Sequence, residues 1–435
     1  MREYIFKKGK ITIIILIASI VIATVLQVMA FALPTGPIIK NVKKSIKSFE
    51  AEGKYREIIP GINYSMLDNF TDACMIAGAT YNGKEALHKR AMNVYTWQTV
   101  GGIVNGVDHY DYYQSLINEC KGIKAKTAHP YFWYWHGYIV VLKPLLLFFN
   151  YNNIRILNMF GQLMCLITLV VLLFRRGFKD YILPFAVGYI LMIPVTVCLS
   201  LQFSACYYMM LLSSIVLLKW KEYFEKGNNY WIVFLITGIG TSFFDLLTYP
   251  IVTLGTPLII YFIMNKEDSF KKMMGNLLEK VAFWGIGYVV FWIGKWGIAS
   301  LLLHENCFVK ALSKINQHTS MDASGLVEKF TVGEVLRRGF VWIKTPMLDI
   351  LVVAAFIYLI VKLIKSHGAS KKGLKLSIPL FIVSLFPVMW FVFASSHVYF
   401  HYWMEYRSCF VLIFGVLAAL VKMRKEDKTD YQIES

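Results

Sequence analysis

The chain has 435 residues, 57% hydrophobic and 17% charged, with a formal net charge of +18 and a mean hydropathy of +0.52. A soluble domain this apolar would precipitate, so the composition points to an integral membrane protein. The basic residues sit mostly in short segments between apolar runs, which is the positive-inside pattern and argues against a nucleic-acid partner.

In chain order, apolar runs long enough for the roughly 30 Å hydrocarbon core, read with their basic punctuation, predict about ten spans. The first covers residues 11–33 and follows Arg2, Lys7, Lys8 and Lys10, which places the amino terminus in the cytoplasm. Spans 2–7 lie within 154–303, at 154–174, 181–197, 203–218, 230–247, 250–264 and 281–303. The last three, within 346–421, are 346–361, 376–394 and 402–421, and the basic tail 422–435 returns to the cytoplasm. Two segments remain outside, 34–153 and 304–345, and external loops of such length are usually functional. The expectation is a single integral domain in a plasma membrane, both termini cytoplasmic and the active face extracytoplasmic; the Lys-, Ile- and Asn-rich style suggests a bacterium.

Ala30-Phe31-Ala32 looks like a signal-peptidase site, but the run before it exceeds the roughly 7–15 residues of a signal core, so it is read as a retained anchor. Of the seven cysteines only Cys74, Cys120 and Cys307 are external on this map. They define no disulfide framework, although one external pair stays open.

Within the first loop, 67–75 reads as a helix start with Asp68 and Asp72 four apart and therefore on one face. Two adjacent carboxylates split their pKa values, which suits a general base and its orienting partner; the alternative is that one of them caps the helix amino terminus and the other is solvated. Asp108 and Asp111 form a second acidic and aromatic cluster, followed by the run 129–138 with His136. Such a run serves as a headgroup-level aromatic belt or as a platform for sugar faces. The apolar stretch 137–149 is too short to span and is expected to lie in the outer interface as an amphipathic segment with one polar face, interrupted by Lys143-Pro144.

Further on, Asp245 and Tyr249 close a helical hairpin near the outer surface, and Lys295 lies about 12 Å below the outer end of its span, deep enough to line a cavity or to snorkel. His397, His401 and Glu405 recur every four residues as one helical stripe, with Arg407 just deeper. A His-x-x-x-His pair without a matched third ligand is weak as a metal site. Phosphate binding by the two histidines and Arg407 is favoured, because a guanidinium holds phosphate oxygens in a planar fork. A charge at the centre of a span costs roughly 2.5–3.5 kcal/mol, so Asp245, Lys295 and Arg407 mark a functional region.

The segments 67–75, 129–155, 245–257 and 397–407, set in this topology, resemble the GT-C superfamily of polytopic glycosyltransferases. The acidic pair is Asp-x-x-x-Asp, unlike the adjacent or Asp-x-Asp arrangement common there. The resemblance implies an all-α membrane enzyme that moves a sugar from a polyprenyl-phosphate donor to a glycan, lipid or protein acceptor of the cell envelope. It further implies Asp68 or Asp72 as the base, and Arg407, His397, His401 and Lys295 at the departing phosphate. Asp245, Tyr249, His136, Asp108 and Asp111 would contribute to substrate binding. No cofactor is implied, and a divalent cation at the donor is left open. A transporter or flippase of lipid-linked glycans, or a non-catalytic envelope assembly factor, are the alternatives; repeated halves and midplane charges, the usual marks of a transporter, are not evident.

Overall fold

In a bilayer an unpaired N–H or C=O has no water to bond, and a helix satisfies both groups internally. The computed structural model describes residues 2–104, 107–267, 269–319, 329–366 and 368–424, and the protein is nearly all-α, 77% helical. Among the described residues, seven helices are long and apolar enough to cross a membrane: Phe6–Ala32, Tyr151–Arg175, Leu201–Lys219, Phe270–Leu303, Pro346–Lys365, Lys371–Phe393 and Ser395–Met423. Three shorter apolar helices, Ile139–Phe148, Tyr230–Phe244 and Ile251–Met264, accompany them.

The differences from the predicted spans have local causes. The span expected at 181–197 is divided into Ile182–Leu191 and Pro194–Leu199. Pro194 cannot donate to a preceding turn, and Ile193 takes a φ of 50°, a costly conformation for a β-branched residue. The span expected at 402–421 becomes the helix Cys409–Met423 after a 3-10 turn, Tyr406–Ser408. The preceding helix, Ser395–Glu405, is kinked at His401 (φ −116°, ψ 30°). The straight stripe of His397, His401 and Glu405 is therefore broken, although the two imidazoles stay 4.7 Å apart.

Helix Tyr230–Phe244 crosses helix Phe270–Leu303 without side chains between the backbones. A Cβ on Gly238 would lie 2.2 Å from Trp284 O, and one on Gly287 would lie 2.3 Å from Leu235 O. Only glycine allows helices to approach this closely.

The segment 34–153 is a folded unit, not an extended loop. It contains the helices Thr35–Lys43, Ile46–Glu52, Asn69–Thr80, Leu87–Asn93, Tyr112–Cys120 and Ile139–Phe148. Strand Thr96–Gln98 pairs antiparallel with Thr127–His129, in a register that sets Thr96 against His129, and Ile103–Val104 pairs with Val107–Asp108. Ile38, Val42, Phe49, Ala73, Ile76 and Leu116 form a shared core with Phe31 and Tyr151, which tie the unit to the helices before and after it. In the helix Ile139–Phe148, Ile139, Leu142 and Leu146 point inward and Val141 and Phe148 outward, so both faces are apolar and the expected polar face is absent. Lys143 is buried there with its ammonium over the Phe31 ring, 4.8 Å from the centroid. None of the seven cysteines is in a disulfide, so the optional external pair does not form.

Candidate functional site

The chain turns from Leu67 into the helix Asn69–Thr80, whose first backbone N–H groups need acceptors. Asp68 supplies them as N-cap: Oδ1 accepts from Thr71 N at 3.0 Å and Oδ2 from Thr71 Oγ1 at 2.9 Å. Its own N–H donates to Ser200 Oγ at 3.0 Å. One turn on, Asp72 faces the start of another helix, Leu201–Lys219. It accepts from Leu201 N at 2.9 Å, Gln202 N at 3.0 Å and Tyr151 Oη at 2.5 Å. A carboxylate at a helix amino terminus meets both unpaired N–H groups and the positive end of the dipole.

The environments of the two carboxylates divide their roles. Burial pushes Asp68 up to about 7; the Thr71 N–H opposes this, Asp72 reinforces it, and the Arg407 guanidinium draws it back. Burial also raises Asp72, against the pull of Arg155, Tyr151 and the two N–H groups. Asp72 is thus committed to joining the helix that starts at Leu201. Asp68 is the member placed to gain and lose a proton near neutral pH.

Arg407 is fully buried. Its Nε donates to Met192 O at 3.2 Å, one terminal nitrogen to Trp403 O at 2.7 Å and the other to Thr196 Oγ1 at 2.5 Å. Its carbon lies 4.2 Å from the Phe203 ring centroid and 5.0 Å from that of Tyr406. Among the described residues no carboxylate forms an ion pair with it; Glu405 and Asp245, the partners a scaffold role would call for, are occupied elsewhere. Three polar atoms in the same neighbourhood, Tyr406 Oη, Gln202 Oε1 and Trp403 Nε1, have no hydrogen-bond partner among the described residues. Tyr55 and His401 pack beside Trp403, at 5.6 and 5.2 Å between centroids, and form an aromatic rim.

The other anticipated residues mostly hold the chain. His397 Nε2 donates to Leu247 O at 2.6 Å and lies 3.5 Å from Glu405 Oε1, while Glu405 Oε2 accepts from Trp390 Nε1 at 3.0 Å. Asp245 closes its turn by accepting from Thr248 N at 3.0 Å and from the Thr248 hydroxyl. Tyr249 donates its hydroxyl to Phe203 O. Lys295 neither snorkels nor joins Arg407: it is buried, donates to Met92 O at 2.9 Å and so fastens the helix Leu87–Asn93 to the bundle. His136 Nε2 donates to Tyr131 O at 2.5 Å and Nδ1 accepts from Tyr138 Oη at 2.8 Å. Burial, helped by the charge of Lys295, pushes its pKa down to about 3, so this imidazole is neutral. Asp111 caps the helix Tyr112–Cys120 and pairs with Lys54 at 2.6 Å. Asp108 lies in the strand Val107–Asp108, and its side chain is outside the described ones.

Sequence reasoning missed a network behind Asp72. Arg155 donates to both oxygens of Glu52, at 2.8 and 2.9 Å, and to Asn69 Oδ1 at 2.6 Å, and stacks on Tyr151 at 4.3 Å. An arginine in the first turns of a predicted span was a usable signal; Glu52, in a short loop helix, offered none.

Beside this network a cavity of about 390 Å³ opens between the helices Ile139–Phe148, Tyr151–Arg175 and Leu201–Lys219. Its wall is mainly aliphatic, with Leu142, Leu145 and Leu157, and Leu201 and Gln202, whose N–H groups hold Asp72, form one side. No group of three or more potential metal ligands occurs among the described residues. Compared with family models, curated proteins and solved structures, the chain matches none of them.

Proposed function

We propose that the chain is a GT-C-like glycosyltransferase with about ten spans and both termini cytoplasmic. It transfers a sugar from a polyprenyl-phosphate donor to an envelope glycan, lipid or protein on the extracytoplasmic face. The observation that carries this reading is Arg407, a buried guanidinium without an anionic partner among the described residues, set in apolar helices near the Asp68 carboxyl, which burial pushes up to about 7. A buried charge lacking its counterpart is costly, and a ligand phosphate supplies one through bidentate, charge-assisted bonds. The adjacent aliphatic cavity suits the lipid part of such a donor.

In this scheme Asp68 takes the proton of the acceptor hydroxyl as its oxygen attacks the anomeric carbon. The anomeric carbon–oxygen bond breaks, and its electron pair leaves with the lipid phosphate. Arg407 stabilises that growing negative charge, electrostatic work of several kcal/mol in comparable sites. Asp72 positions Asp68 through the helix Asn69–Thr80.

The test is binding of a polyprenyl phosphate to the purified protein and to Arg407→Lys, with thermal stability measured in parallel. An ammonium keeps the charge and loses the planar fork, so binding should weaken by about tenfold or more, ~1.4 kcal/mol. Unchanged lipid binding with reduced stability would return Arg407 to the scaffold.

A further inference from the structure

The helix that carries Asp68 at one end borders a second cavity at the other, roughly 18 Å along its axis at 1.5 Å per residue. This cleft, about 470 Å³, is bounded by Lys43, Thr80, Asn82, Trp97, Glu119 and Lys124, drawn from three helices, a strand and the turns between them. Its volume falls within the roughly 300–1,000 Å³ of small-ligand sites. None of these residues serves the chemistry assigned to Asp68 and Arg407.

The lining narrows what the cleft would take. Glu119 Oε2 is enclosed and has no hydrogen-bond partner among the described residues. Burial pushes that carboxyl up to about 7, with Lys43 opposing. Trp97 is half-buried, with one side against Tyr81 at 4.6 Å, and its Nε1 donates to Asn82 Oδ1 at 2.9 Å. That bond fixes the indole and leaves the Asn82 amide hydrogens for another acceptor. An enclosed carboxylate oxygen calls for donors and repels an anion; the ammonium and amide groups call for acceptors; an indole face takes aliphatic C–H groups. A sugar ring presents all three at once. A lipid chain would leave Glu119 unsatisfied, and a phosphate would face its carboxylate.

We propose that this cleft is a saccharide subsite, distinct from Asp68 and Arg407. On the transferase reading, it anchors a sugar unit of the acceptor away from the reacting hydroxyl.

The experiment uses the full chain in detergent and four neutral disaccharides, maltose, cellobiose, lactose and chitobiose, followed by saturation-transfer NMR and tryptophan fluorescence. At least one should bind saturably, and Glu119→Ala and Trp97→Leu should each weaken it about tenfold or more without changing the thermal unfolding of Glu119→Ala. Because Trp97 packs on Tyr81, the exposed Asn82→Ala provides a variant free of folding effects and should weaken binding more mildly. Absence of binding by all four sugars, or binding unchanged in Glu119→Ala and Asn82→Ala, overturns the proposal. Saccharide binding in a chain that transfers no sugar would sink the enzyme reading and keep the cleft. Transfer that is indifferent to Glu119→Ala at limiting acceptor would do the reverse.

Discussion

Asp68 and Asp72 have the same side chain, spaced by one helical turn, and opposite prospects on substitution. Asn caps a helix about as well as Asp, so Asp68→Asn should keep the Thr71 contacts and the fold. Loss of proton acceptance should lower sugar transfer by about 10²–10⁴, measured against protein level in the membrane; full activity would move the base elsewhere. Asp72→Asn should instead lower thermal stability, since hydrogen bonds to a charged group are worth about 1.5–3 kcal/mol each and Asp72 receives three. The pH dependence follows from Asp68, raised by burial to about 7. As a base it must be ionised, so kcat/KM should rise through about pH 7. Its effect on stability runs the other way. The folded carboxyl keeps its proton at pH values where an unfolded Asp, at about 3.9, has lost it. That contribution is therefore complete below about pH 4 and lost as the pH climbs to about 7, a trend that chemical denaturation at several pH values would reveal or refute.

At the scale of elements, the helix Asn69–Thr80 joins three things: the cap and candidate base at its start, the helix beginning at Leu201 through Asp72, and the polar cleft beyond Thr80. The glycine crossing of Tyr230–Phe244 with Phe270–Leu303 holds the neighbouring part of the bundle. Gly238→Ala would put a Cβ 2.2 Å from a backbone oxygen that no rotamer change can move. Overpacking of this kind costs about 1–3 kcal/mol, so the variant should unfold at lower temperature, and an unchanged midpoint would show that the crossing is looser than described. The existence of these elements was legible because length, apolarity and punctuation are local properties. The break at Ile193 and the kink at His401 were not, since the predicted spans ran through or began close to them; Pro194 was the sequence's own signal for the first.

For the whole molecule, the topology proposed from the placement of basic residues sets 34–153 and 304–345 outside and Gly227 in the cytoplasm. In a cysteine-free background, an impermeant thiol reagent added to intact cells should label Lys124→Cys, an exposed position, and spare Gly227→Cys. Labelling of the Gly227 probe would invert the map and the sidedness of the site. By itself the sequence determined that this is a nearly all-α chain of membrane-length apolar helices with a long polar segment after the first, because each such feature is written in contiguous residues. It also marked Asp245, Lys295 and Arg407 as charges within apolar stretches, and Asp68 and Asp72 as a pair of carboxylates on one helix face. Only the tertiary structure decided what each charge meets: Asp72 the helix start at Leu201, Lys295 the carbonyl of Met92, Arg407 the carbonyl of Met192 and the hydroxyl of Thr196. These partners lie 129 to 215 positions away along the chain. Burial makes a partner necessary for a charge, but its identity depends on which distant segments the packed helices bring together.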